Sequence, residues 1–168
     1  TDMFYYATRA IHDANPSAKS IMGGLTEPAG LGKGTTGSFL QKLYDNIASG
    51  EFGYFYGKET SESASADADD YFEVACWHPY VWGKFNADYF VEVNNEYYQI
   101  ILDNEGKHKE VIFSEVGFND VKSDEASATL YLEEMFEAIE ERMPYVTMVH
   151  YYKLFDVGLQ NSWEGEGT

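Results

Sequence analysis

Four short stretches of this 168-residue chain bring reactive side chains to the point where an apolar run stops. The clearest is Lys109-Glu110-Val111-Ile112-Phe113-Ser114-Glu115-Val116-Gly117-Phe118, in which Val, Ile and Phe lead to a carboxylate with a glycine close behind. The others are Leu25-Thr26-Glu27-Pro28, His78-Pro79-Tyr80 and His150-Tyr151-Tyr152. A carboxylate at such a point can serve as a nucleophile or as a general acid or base. A single strand-end glutamate is more often just solvated. Four consecutive ends carrying an acid, a histidine or a tyrosine form a pattern that asks for a common pocket.

Other chemistries find less support. No serine sits in a Gly-x-Ser-x-Gly elbow, so a Ser-His-Asp triad has no sequence signature. His12, His78, His108 and His150 are not at metal-ligand spacing, and the single Cys76 excludes a cysteine zinc site or an internal disulfide framework. Cys76 lies inside an apolar run and reads as a small buried residue. Asp67, Asp69 and Asp70 lack the glycine and distal glutamate of a calcium loop. Gly30-Leu31-Gly32-Lys33-Gly34-Thr35-Thr36 lacks the spacing of a phosphate-binding loop. Neither a metal nor a cofactor is expected.

Composition narrows the partners. With 29 acidic and 11 basic residues the formal charge is −18, a field that repels nucleic acid and anionic membrane surfaces. No apolar stretch approaches the roughly 18–20 residues of a membrane span. Aromatic residues make up 17% of the chain, which suits either a large core or the stacking of rings on sugars.

Periodicity supplies the elements that must position these groups. Met3, Ala7, Ala10, Ile11 and Ala14 give a helical stripe over residues 2–14, with Asp2 as a cap and Asn15-Pro16 as the stop. Residues 19–25 read as a short buried strand whose Gly23-Gly24 pair implies close backbone approach. A helix from Ser38 places Leu40, Leu43, Tyr44 and Ile47 inward, with Gly50 beyond its end. Residues 57–70, small and acidic, read as a mobile loop. The strand Tyr71–Trp77, a helix over 88–103 closed by Gly106, and the strand ending at Glu115 follow. A helix capped by Asp124 then turns Ala128, Leu132, Met135, Phe136, Ile139 and Met143 inward, and a last strand covers Tyr145–Tyr152. Helix and strand alternate four times, which predicts an α/β fold with parallel strands. Ligands in such folds gather at the carboxyl ends of the strands.

These elements in this order resemble the retaining glycoside hydrolases of the large (β/α)8-barrel clan that includes cellulases, mannanases and β-xylosidases. The resemblance is carried by Ala14-Asn15-Pro16 with Ile21-Met22-Gly23-Gly24-Leu25, by His78-Pro79-Tyr80, by Ile112 to Phe118, and by Tyr151-Tyr152-Lys153-Leu154-Phe155-Asp156. It implies that residues 1–168 are a single partial domain, the C-terminal half of a TIM barrel with strands five to eight. It further implies that Glu115 is the nucleophile, that Tyr80 hydrogen-bonds it and favours its ionised form, and that His78 lines the same wall. Trp82, Tyr152, Trp163 and Glu27 would contact an oligo- or polysaccharide.

One departure stands out. The clan carries its acid/base in an Asn-Glu pair at the end of strand four, and no such pair occurs at a matching place here. Asn95-Glu96 and Asn104-Glu105 fall in and at the end of a helix, and Glu27 lies on the fifth strand by count. A half-barrel would therefore hold the nucleophile without its acid and be nearly inactive by itself. Its outer strands would present free edges, open to homodimerisation. An extracellular protein is implied, with its export signal preceding the residues given. The alternatives are a non-catalytic carbohydrate-binding or scaffold derivative of the same fold, and a self-contained flavodoxin-like α/β module.

Overall fold

The computed structural model describes residues 2–26, 35–50, 65–82, 84–119 and 125–152. Helices α1 (Asp2–Ala14), α2 (Thr35–Ser49), α3 (Ala87–Glu105) and α4 (Glu125–Arg142) alternate with the strands of one sheet. Those strands are β1 (Leu25–Thr26), β2 (Val74–His78), β4 (Glu110–Val116) and β6 (Val146–Tyr151). All neighbours pair in parallel, in the order β1-β2-β4-β6. Past the ends of β2 and β4 the chain forms a second parallel pair, β3 (Val81–Trp82) with β5 (Phe118–Asn119). The α/β class with alternating parallel strands is thus as the sequence predicts. The β3–β5 extension is additional.

The two faces of the sheet are not alike. Ala75, Trp77, Val111 and Phe113 point into one apolar cluster with Leu40, Leu43 and Ile47 of α2, Phe90 and Ile101 of α3, and Met135 and Ile139 of α4. Phe4 and Tyr5 of α1 pack against the same cluster. The other face carries Val74, Cys76 and His78 of β2, with Ile112 and Ser114 of β4 in register beside them. At its margins Ile21 and Met148 are 52% and 48% exposed. Among the described residues no helix covers this second face.

Local chemistry explains the helix ends. Asn86 caps α3 by accepting from the Tyr89 N–H, and Gly106 closes it in the left-handed region at φ 65°, donating its N–H to the Leu102 carbonyl. Within α3 the buried Asn94 accepts from the Trp77 indole N–H at 2.7 Å and donates to Phe90 O, so a polar residue sits in the core fully engaged.

Four expectations need correcting. Helix α1 does not turn Met3, Ala7, Ala10, Ile11 and Ala14 inward; Met3 is 66% exposed. Its inner face is Phe4, Tyr5, Thr8 and His12, because Thr8 donates to the Tyr71 carbonyl at 2.7 Å and Tyr5 packs on the Tyr71 ring. Aromatic area and a specific hydrogen bond outweigh a stripe of alanines. Asp2 opens the first turn of α1 rather than preceding it. In α4, Ala138 is buried and Phe136 is exposed. Finally, residues 19–25 are not one buried strand. Ile21 bridges to Val74, whereas Leu25 pairs with Trp77, so four steps on one side face three on the other. The extra residue is taken up at the glycine pair, as in a bulge.

At the amino ends of the strands, charged groups lock the elements together. Lys109, 2% exposed at its side chain, lies 2.8 Å from Glu105, 2.9 Å from Asp69 and 2.8 Å from the Phe72 carbonyl. Asp69 also pairs with Lys107. Burial works to raise the Asp69 pKa, but Lys107 and Lys109 outweigh it and hold the carboxyl below its usual range. Burial, then the hydrogen bond to Glu105, pushes the Tyr44 phenol well above its ordinary value. Nearby, Glu73 accepts from the Ser20 N–H and contacts His12, both at 2.8 Å. Of the acidic segment 57–70, residues 57–64 lie outside the described residues. Ala68–Asp70 form a 3-10 turn capped by Asp67, and Asp69 ties it to the ends of α3 and β4.

Candidate active site

Strands β2 and β4 run side by side in register from Val74 opposite Glu110 to Trp77 opposite Phe113. That register carries His78 and Ser114 out of the sheet together. Beyond them the Tyr80 N–H bonds back to the His78 carbonyl at 2.9 Å, and the Val81 N–H bonds to the Gly117 carbonyl at 2.9 Å. This turn directs Tyr80 toward β4, where its hydroxyl donates a short hydrogen bond to Glu115 Oε2. His78 Nδ1 lies 3.7 Å from the same oxygen. The Glu115 side chain is 39% exposed and His78 is 16% exposed. Among the described residues both contacts to Glu115 fall on Oε2, and no second carboxylate touches it.

Two glycines make the approach possible. A Cβ at Gly24 would stand 2.1 Å from His78 Nε2, so only a glycine lets the imidazole seat against the chain entering β1. A Cβ at Gly117 would stand 2.5 Å from the Tyr152 carbonyl oxygen and 3.5 Å from the Tyr80 ring. Tyr152 itself is fixed by its N–H to the Val116 carbonyl at 2.8 Å, and its ring meets Tyr80 edge-on at 6.3 Å. The close approach expected at Gly23-Gly24 is real at Gly24; at Gly23 an added Cβ would meet nothing within 4 Å.

Of the residues singled out from sequence, Glu115, His78, Tyr80 and Tyr152 therefore converge at the carboxyl ends of β2, β4 and β6. Trp82 belongs to β3 by its backbone, and its side chain lies outside the described residues. Glu27, Trp163, the Lys153–Asp156 stretch and the Asp124 cap lie outside them too, as does most of the glycine-rich Gly30–Thr36 stretch. His150 is exposed on the edge strand β6. Among the described residues no three His, Cys, Asp or Glu side chains are grouped to hold a metal ion.

Sequence reasoning gave no role to Ser114 and treated Cys76 as filler. Ser114 Oγ is 2.8 Å from His78 Nε2 and 3.0 Å from Cys76 Sγ. The two-residue period of a strand carries the signal, since Cys76 and His78 on β2 share a face with Ile112 and Ser114 on β4. Ser114, His78 and Glu115 thereby stand in the spatial order of an acyl-transfer triad. Yet Ser114 lies within the run of β4 rather than on a strand-to-helix elbow, and the nearer partner of Glu115 is Tyr80.

A cavity of about 310 Å³ opens at the other end of the sheet, lined by Tyr98, His108, Lys109, Glu110, Pro144, Tyr145 and Thr147. Several of its polar groups already have partners: the Tyr98 hydroxyl with His108 at 2.8 Å, the Tyr145 hydroxyl with Asn95 at 2.9 Å, and Lys109 with its carboxylates. The Tyr98 and Tyr145 rings stack at 3.8 Å. Chemistry is better served at Glu115. Comparisons with protein-family models, with curated proteins and with solved structures found no match to this chain.

Proposed function

We propose that the chain is the nucleophile-bearing half of a retaining β-glycosidase acting on plant-type oligo- or polysaccharide, with Glu115 as nucleophile. The observation that carries this reading is the Tyr80 hydroxyl bonded to Glu115 Oε2 across the carboxyl ends of adjacent parallel strands. A partly exposed carboxylate held through one oxygen keeps the other for attack. Glu115 Oε1 forms a bond to the anomeric carbon as the glycosidic C–O bond breaks. The departing oxygen takes a proton from a second carboxyl group, and water, deprotonated by that same group, then cleaves the glycosyl ester.

The acid belongs, in this reading, to strands that complete a (β/α)8 barrel. The sheet supports it. All-parallel sheets are covered on both faces, and flavodoxin-like modules place helices on each. Here the described helices share one face, the other exposes Ile21 and Met148, and β1 and β6 stand at the two ends of the strand order. Closure through those edges, by further strands of a longer extracellular chain or by a second copy, would give the missing cover. The other reading is a non-catalytic carbohydrate-binding or scaffold derivative of the same fold.

Incubation with 2-fluoro glycosides bearing activated leaving groups separates the two, because such groups depart without an acid. A stoichiometric mass adduct on Glu115 is expected. An adduct on another residue, or none when the chain is assembled with its completing strands, would sink the assignment.

A further inference from the structure

The far side of His78 raises a question that the nucleophile alone does not answer, namely which ring nitrogen carries the proton. Nε2 is 2.8 Å from Ser114 Oγ, and Nδ1 faces Glu115 Oε2 at 3.7 Å. A neutral imidazole has one N–H and one lone pair, and the bond made by one nitrogen sets the state of the other. A lone pair on Nδ1 would face a carboxylate oxygen and be repelled by it, whereas an N–H there is attracted. At the other end, Cys76 Sγ stands as a donor 3.0 Å from Ser114 Oγ. A hydroxyl that accepts from a thiol keeps its own O–H to give. Both ends of the chain therefore agree on one direction.

We infer that Ser114 is a positioning residue: fed by Cys76, it donates to His78 Nε2 and so fixes His78 as the Nδ1–H tautomer, whose proton faces Glu115 Oε2. Two donors, Tyr80 Oη–H and His78 Nδ1–H, then address the same oxygen. Oε2 is the anchored atom, and among the described residues Oε1 is the one left without a contact. Gly24 is part of the device, since it walls the Nε2 edge of the ring so closely that a Cβ would collide. The assignment of Oε1 as the attacking atom rests on the glycosidase reading; the tautomer does not.

The test is long-range ¹H–¹⁵N NMR of the full chain labelled at histidine nitrogens, at about pH 9, above the ordinary histidine range. The His78 signals are identified as those lost in His78→Gln. His12 serves as an internal contrast, because its Nε2 faces Glu73 at 2.8 Å. His78 should show the Nδ1–H pattern, and Ser114→Ala should convert it to Nε2–H or a mixture. Ser114→Thr, which retains a hydroxyl, should restore the wild-type pattern. Adduct formation with the 2-fluoro probe should slow about tenfold in Ser114→Ala, in step with the tautomer change, and recover in Ser114→Thr, as the loss of one hydrogen bond to the site predicts. An Nε2–H pattern in the wild type, or a tautomer indifferent to Ser114→Ala, would overturn the inference. So would labelling of Ser114 by a fluorophosphonate, which would make it a nucleophile instead. If the tautomer behaves as expected and no glycoside adducts form, the glycosidase reading fails while the inference stands.

Discussion

The two ends of this sheet use charged and polar groups in opposite ways. At the amino ends of β2 and β4, Lys109 is enclosed by Glu105, Asp69 and the Phe72 carbonyl, and its charge is spent on holding α3, the Asp67-capped turn and β4 together. At the carboxyl ends, Glu115 keeps 39% of its side chain exposed and is contacted through one oxygen. The first arrangement is closed to solvent, with the side chains of Lys109 and Glu105 only 2% and 3% exposed. Among the described residues the second leaves an oxygen without a contact, an exposed surface and an orienting pair of rings. A parallel sheet permits this division because its ends are separated by the length of the strands. One end can be closed for stability while the other stays open for chemistry.

Substitutions at the two ends should separate these roles. Glu115→Gln should abolish the glycosyl adduct completely, as read by intact mass, while the urea midpoint stays near that of the wild type, since a half-exposed side chain is replaced by one of equal shape. Lys109→Met should do the reverse. It leaves the buried Glu105 carboxylate without its cation and Asp69 with Lys107 alone, and breaking a buried ion pair from one side costs about 3–5 kcal/mol. Whatever fraction of that variant is folded should still label at Glu115. If Lys109→Met unfolds nothing and Glu115→Gln unfolds the chain, the division of labour is wrong.

Finer cuts sharpen it. Tyr80→Phe removes the hydroxyl that anchors Oε2, and a hydrogen bond to a charged group is worth about 1.5–3 kcal/mol. Adduct formation should slow by about ten- to a hundredfold, with little change in stability. The smallest effect is on pH dependence. Burial works to raise the Glu73 pKa, but the Ser20 N–H and then His12 outweigh it and hold the carboxyl below its ordinary range. Asp69 is held low in the same sense by its lysines. Groups whose pKa is lower when folded stabilise fully above their unfolded values, about 4.3 for Glu and 3.9 for Asp, and lose that contribution as pH falls through the folded values. The urea midpoint should therefore drop below about pH 4, and Glu73→Gln should flatten part of that drop. A midpoint equally steep in Glu73→Gln would assign the acid sensitivity elsewhere.

Much of this was legible from sequence because it depends on local rules. Continuous apolar runs marked the strands, and Leu40, Leu43, Tyr44 and Ile47 marked the buried face of α2. Gly106 marked the stop of α3, since a helix end in the left-handed region wants a residue without a Cβ. Reactive residues at strand ends marked which end of the sheet to inspect. The misread face of α1 shows where such rules fail. Small residues at helical spacing form a stripe on paper, but Thr8 and His12 found partners at Tyr71 and Glu73, more than 60 positions away along the chain.

Sequence alone determined the alternation of helix and strand, the parallel sheet that follows from it, and the identity of Glu115, His78 and Tyr80 as the side chains to bring together. Only the tertiary structure decided which atoms meet. It set the register of β2 on β4, and with it the placement of Ser114 under His78. It brought the Gly24 backbone against the imidazole and gathered all four described helices on one face of the sheet. The physical reason is distance: periodicity reports what each residue's immediate neighbours require, while register and enclosure are agreements between segments that the chain separates by tens of residues.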